Sequence, residues 1–167
     1  LLFIFLSVGT LHVAAQEENE LAINGYKGNY IYNVYNPASL QHPDGEIVGF
    51  RLDRKEQRET SWQTLYKFNT PATFEELSQN FEVAKNKVFE YRPTIAYTVA
   101  EVWPVFKKSF KLDSIGPYVT QQAMAVAFNI LLIDSTAKKG LVYQYKVVQL
   151  KRDGSEALSY ISAPVSS

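Results

Sequence analysis

At 167 residues, with 17 basic and 17 acidic side chains and a hydrophobic share of 46%, the chain is long enough for one packed domain and short for two. A formal net charge of zero supplies no long-range field to gather polyanions, so nucleic acid is not an expected partner. Aromatics at 14% favour a strand-containing domain over a disordered chain, and the absence of cysteine excludes a disulfide framework.

Residues 1–8 form an uncharged apolar run, and Val13, Ala14 and Ala15 stand directly before Gln16-Glu17-Glu18-Asn19-Glu20. Small residues at the first and third places before a cut are what a signal peptidase accepts, which predicts a signal peptide over residues 1–15. The apolar stretch is shorter than the roughly 20 residues a bilayer core requires, so no membrane span is expected after cleavage. No Met and no basic stretch precede Leu1, as expected of a chain that begins inside its reading frame. A cysteine-free exported domain without an Asn-X-Ser/Thr sequon points to a bacterial source and to a secreted or cell-surface location.

In residues 23–35, Tyr30, Tyr32 and Val34 alternate with Asn29, Ile31 and Asn33, the period of a half-buried strand. Residues 36–46 collect two prolines, a glycine and several turn formers, and read as a loop. Alternation resumes in residues 48–54, and residues 62–68 predict a third, short strand. The period then changes: Pro71 and the capping spacing from Thr73 to Glu76 open a stretch where Phe74, Leu77, Phe81, Ala84 and Val88 recur at three and four, an amphipathic helix. A second helix is predicted from Thr94 towards Phe110, kinked or restarted by Pro104, and a third from Tyr118 to about Leu131. Strands return at residues 141–150 and 157–161, joined by the turn Arg152-Asp153-Gly154-Ser155, and Asp-Gly between alternating runs is a strong hairpin sign. Residues 162–167 are linker-like in composition.

Catalytic patterns are sparse. His42 is the one histidine left after signal removal, so neither a histidine triad nor a zinc site is expected. The acids Glu75, Glu76, Glu82, Glu90, Glu101, Asp113 and Asp134 are the candidates for paired carboxylate chemistry, and most read better as helix first turns, solvated faces or turn residues. No phosphate loop, nucleophile elbow or EF-hand spacing occurs. No cofactor and no metal is expected. Aromatics are the better candidates for a binding surface, because Tyr and Trp stack on sugar rings or anchor protein contacts while keeping a polar edge in water. Tyr26, Tyr30, Trp62, Tyr91, Tyr97 and Trp103 form that set, with Trp62, Tyr91 and Trp103 foremost.

Asp134, Gly140, Tyr143, Tyr145, Val147 and the Asp153-Gly154 turn, in that order, resemble the closing strands of a fibronectin type III domain of the bacterial exported kind. Residues 45–56 look like the third strand of such a domain, with residues 62–68 following it. The resemblance implies a mainly β fold, an immunoglobulin-like β-sandwich over residues 16–163, interrupted at about 71–131 by a helical insertion of two or three helices. Residues 164–167 then link to possible further domains. It also implies that Tyr143 forms a corner whose hydroxyl bonds back to the backbone, with Gly140 and Gly154 as structural turn residues. The function so implied is a noncatalytic extracellular or cell-surface module that spaces, presents or binds a protein or polysaccharide partner within a larger exported protein. The alternative is a carbohydrate-binding accessory module of a secreted polysaccharide-degrading enzyme, which requires Trp62 or Trp103 on an exposed flat face. A carboxylate hydrolase requires two acids within about 5 to 9.5 Å in a cleft.

Overall fold

The computed structural model describes residues 21–25, 27–35, 47–88 and 96–167. The expected signal peptide, the loop at 36–46, His42, Tyr26, Glu90 and Tyr91 lie outside the described residues. Strands β1 (Ala22–Gly25) and β2 (Gly28–Tyr32) form an antiparallel hairpin, and β2 pairs on its other side with a later strand, Leu131–Asp134. A larger antiparallel sheet is built from β3 (Ile47–Glu56), β4 (Gln63–Phe68), Val142–Lys151 and Glu156–Ile161. With Leu131–Asp134 as β5, these last two are β6 and β7, and the orders are β1-β2-β5 and β4-β3-β6-β7. A final strand, β8 (Val165–Ser166), adds to the start of β6, and Ser167 exchanges backbone bonds with Gly140 and Leu141. The segment that composition reads as linker-like is thus tied to the sheet.

Alternation decides what each sheet buries. Ile31 and Leu132 of the smaller sheet meet Leu52, Tyr145, Val147 and Tyr160 of the larger one in a single apolar core. Each such side chain, taken fully out of water, contributes about 1.5–3 kcal/mol. The molecule is therefore mainly β, two antiparallel sheets enclosing a shared core.

Between β4 and β5 the chain leaves the sheets. Helix α1 (Phe74–Lys87) opens where the Thr73 hydroxyl accepts from the Glu76 N–H, and turns Leu77, Phe81 and Ala84 inward. Helix α2 (Val99–Ser109) starts on a capping box between Thr98 and Glu101, runs through Pro104, and ends at Phe110 in the left-handed region. Two 3₁₀ turns (Leu112–Ile115 and Tyr118–Thr120) lead to α3 (Gln122–Ala127). These helices have a core of their own, in which Phe106 and Phe128 pack edge to face at 4.9 Å.

The helices cover the far side of the smaller sheet. Tyr30 and its neighbour Leu131 pack with Ala125, while the alternate positions Ile31 and Leu132 face the larger sheet. Strands β2 and β5 are consequently buried on both faces, and the layers run helices, three-stranded sheet, five-stranded sheet.

Two expectations are revised here. The single strand read over residues 23–35 is a hairpin, because the tight return from Gly25 to Gly28 reverses the chain. The third helix does not reach Leu131: Asn129 takes a φ of 56°, and the Leu131-Leu132-Ile133 run that follows is strand. A short run that is apolar on both faces carries no period to separate strand from helix. Among the described residues no helix is long and apolar enough to cross a membrane.

Candidate functional site

The outward face of the larger sheet carries alternate residues of β3: Arg51, Asp53 and Lys55. Asp53 is almost wholly buried beneath the side chains around it. Arg51 grips it with Nε at 2.8 Å and Nη2 at 2.8 Å, and the Thr64 hydroxyl donates to it at 2.8 Å. Arg51 also donates to Glu156 on β7, and Lys146 on β6 lies 3.7 Å from Asp53 and 3.8 Å from Glu156. Burial by itself would raise the Asp53 pKa, but the bonds from Arg51 and Thr64 outweigh it and hold the carboxyl below its ordinary value. The group is a charged structural acceptor at neutral pH.

Trp62 stands at the same face, half-buried, just before β4. The Lys55 ammonium is 5.0 Å and the Lys146 ammonium 5.4 Å from its ring, within range of cation–π attraction. Trp103 is placed quite differently. It sits on α2 against Phe106 and Phe110, with ring centroids 5.9 and 6.4 Å away, and belongs to the rim of the helical core. Tyr97 packs edge to face on Tyr118 at 4.8 Å, and Tyr30 is buried under the helices. Among the described members of the aromatic set, Trp62 alone stands beside a cluster of charged side chains, and the structure does not bring it together with Trp103.

The other acids are engaged in structure. Glu76 accepts from the Ala72 N–H, Glu101 closes the α2 capping box, Glu82 pairs with Lys85 at 2.6 Å, and Glu75 lies in the first turn of α1. Asp113 falls in the first 3₁₀ turn. Asp134, at the end of β5, is the most elaborately held. Its Oδ2 accepts from Arg54 at 2.9 Å and from the Tyr145 hydroxyl at 2.8 Å, and its Oδ1 accepts from the Thr136 N–H and hydroxyl at 2.9 and 2.6 Å. Burial opposes its charge, and the Thr136, Tyr145 and Arg54 bonds together keep its pKa lowered. Asn29 Nδ2 donates to the Tyr145 hydroxyl at 2.9 Å, so the network spans β2, β5, β6 and β3 and ties the two sheets through their core. Arg54 also lies over the Tyr143 ring at 4.9 Å.

Tyr143 is buried at the start of β6, and its hydroxyl accepts from the Lys138 N–H, five residues upstream, at 3.2 Å. Gly140 and Gly154 both take left-handed φ values, 83° and 86°, which a side chain rarely tolerates. Gly154 turns the β6–β7 hairpin.

An open cleft of about 390 Å³ lies at the other end of β3, where that strand begins and β4 and β6 finish. Arg51, Lys67, Lys151 and Arg152 line it together with Phe50 and Phe68, which stack at 5.4 Å. The sequence shows the alternation that puts Arg51, Asp53 and Lys55 on one face of β3. It does not show that β4, β6 and β7 bring Thr64, Lys146 and Glu156 to the same place, because that depends on long-range register. Among the described residues no group of three His, Cys, Asp or Glu side chains is arranged to hold a metal ion. Comparison of the chain with protein-family models, with curated proteins and with solved structures finds no match.

Proposed function

We propose that this chain is a noncatalytic, exported binding module of fibronectin type III-like architecture, and that it meets its partner with the outer face of the five-stranded sheet around Trp62. The observation that carries this is the placement of Trp62: a half-buried ring on a sheet face, flanked by the ammonium groups of Lys55 and Lys146, beside the Arg51–Asp53–Glu156 cluster. A fixed aromatic ring surrounded by charged and hydrogen-bonding groups is the combination that anchors binding surfaces.

The architectural half of the proposal rests on three supports. Strands β1, β2 and β5 make one sheet and β4, β3, β6 and β7 the other, with β8 added beside β6, two antiparallel sheets packed over one core as in an immunoglobulin-like sandwich. The Tyr143 hydroxyl bonds back to the backbone at the foot of the sixth strand. The helical segment is inserted between the fourth and fifth strands and adds a layer without disturbing that order. The noncatalytic half is supported by Asp53 and Asp134, whose depressed pKa values suit ion-pair partners rather than proton donors. Export is proposed from residues 1–15 as read in the sequence.

A carbohydrate-binding accessory module is the second reading, favoured by the same ring. A panel of plant, mucin and bacterial polysaccharides in affinity electrophoresis, with wild-type protein beside Trp62→Ala and Trp103→Ala, tests both. Retardation by one glycan class that Trp62→Ala abolishes and Trp103→Ala preserves supports the carbohydrate reading. Binding to a protein partner that Trp62→Ala removes supports the presenting module, and partner binding indifferent to Trp62 contradicts the proposed face.

A further inference from the structure

Among the described strands, β5 pairs with β2 alone and so ends its sheet. The Asn33 N–H reaches the Ile130 carbonyl at 2.8 Å, and the same register continues through Ile31 opposite Leu132 and Asn29 opposite Asp134. Bonded and non-bonded pairs alternate along an antiparallel ladder. Ile130, Leu132 and Asp134 therefore turn their backbone groups to β2, whereas Leu131 and Ile133 turn theirs to the open edge. There the Ile133 N–H meets the Tyr66 hydroxyl. Leu131 is 2% exposed, and its N–H has no partner among the described residues. A buried backbone donor seldom stays unpaired, which leaves an acceptor to be supplied at this point.

A cavity of about 140 Å³ opens on the edge, lined by Leu131 and Ile133, by Tyr66 of β4, by Lys87 at the end of α1, and by Val126 and Asn129 where α3 gives way to β5. No carboxylate side chain lines it among the described residues. The charge of Asp134 acts on Tyr66, but that carboxylate is already bonded to Arg54, Tyr145 and Thr136. The wall is fixed in advance. Asn129 Nδ2 donates to the Asn69 carbonyl at 2.6 Å, beyond the end of β4, and the Asn129 carbonyl accepts from Asn33 Nδ2 at 3.3 Å. A preorganised wall lowers the ordering cost of binding.

The volume decides the size of the ligand. It falls well below the ~300 Å³ at which pockets for whole small molecules begin, so the cavity takes a single residue or less. Its chemistry decides the kind. An open strand edge offers N–H and C=O groups to which an extended backbone adds, and a lysine beside a backbone donor suits a carboxylate. We propose that the cavity captures the C-terminal residue of an extended peptide. Its carboxylate accepts from the Leu131 N–H and the Lys87 ammonium, its own N–H donates to a β5 carbonyl, and its side chain lies against Val126. The site goes beyond the Trp62 face and is separate from it, since Tyr66 is the cross-strand partner of Leu52 and shares the core side of the sheet.

The test is a ¹⁵N-correlated NMR titration of the full chain with acetyl-Gly-Ala-Val as the free acid, with the same peptide as its C-terminal amide, and with acetate. The free acid is expected to shift the Leu131 amide saturably and to bind at least about tenfold more tightly than the amide. Lys87→Gln is expected to weaken the acid about threefold or more and Lys87→Arg to preserve it. Lys87 is exposed, so an unchanged urea midpoint in both variants shows that the fold persists. Equal binding of acid and amide, or indifference to Lys87→Gln, overturns the carboxylate assignment. Acetate binding as tightly as the free-acid peptide overturns the peptide assignment, and a Leu131 amide that none of the three moves overturns the proposal altogether.

Discussion

Tyr145 shows how one polar side chain can be worth more than its neighbours in a β core. Its ring is fully buried, and its hydroxyl donates to Asp134 while accepting from Asn29. Beside it, the Asn29 Oδ1 is buried without a partner among the described groups. Tyr145→Phe leaves the Asn29 amide and one Asp134 oxygen short of a bond, and is expected to cost about 1–3 kcal/mol in urea unfolding. Burial first, and the Asp134 charge second, push the Tyr145 hydroxyl pKa up, so it stays protonated and donating at all ordinary pH values. The pH dependence comes instead from the carboxylates. Asp134 and Asp53 both titrate below their ordinary 3.8 when folded. Between the folded and unfolded values the unfolded chain binds more protons, so their contribution is fully present above about pH 5 and declines as pH falls below about 4. Urea midpoints at descending pH should drop through that window, and Asp134→Asn should flatten the drop to the share left by Asp53 and the other carboxyls held below their ordinary values. An equal slope in wild type and variant contradicts the role given to Asp134.

At the scale of elements, the close approaches between strands depend on particular glycines. Gly28 has a φ of 131°, and a Cβ there would lie 2.1 Å from the Asp134 carbonyl. Gly28→Ala must therefore push β2 from β5, and is expected to cost about 3 kcal/mol or more, measured by chemical denaturation. The first helix was readable in advance, since Leu77, Phe81 and Ala84 recur with the helical period and Thr73 caps its start, whereas the second begins at Val99 rather than at Thr94 and the third ends at Ala127 rather than near Leu131. Strands β3, β4, β6 and β7 were readable from alternation bounded by turn residues. What escaped was β5, because Leu131 and Leu132 face opposite layers and are both buried. The β1–β2 hairpin escaped for a related reason: Tyr30 is covered by the helices and Ile31 by the other sheet, so the alternation in sequence reports two apolar environments rather than one. Site residues divide in the same manner. Trp62 was legible as an aromatic on a strand boundary, whereas Glu156 and Lys146 acquire meaning only when β6 and β7 align beside β3.

On the scale of the whole molecule, the helical layer and the sandwich share an interface at Tyr30, Ala125 and Leu131 and so have reason to melt together. Leu131→Ala removes contacts on that boundary at a residue 2% exposed, and is expected to cost about 2–5 kcal/mol. In a Trp103→Phe variant, helical circular dichroism and Trp62 fluorescence should unfold with one midpoint, and separate midpoints contradict a common cooperative unit. This layering also assigns the faces. The helices cover the three-stranded sheet, which leaves the outer face of the five-stranded sheet, with Trp62 and its lysines, as the sheet face that no other described element covers. Two tryptophans, one on each side of the molecule, make that claim directly measurable. In a ¹⁵N-correlated NMR titration with the polysaccharide panel, the indole N–H of Trp62 is predicted to shift saturably with a bound ligand while that of Trp103 stays fixed. Movement of the Trp103 signal with Trp62 unmoved would contradict the account.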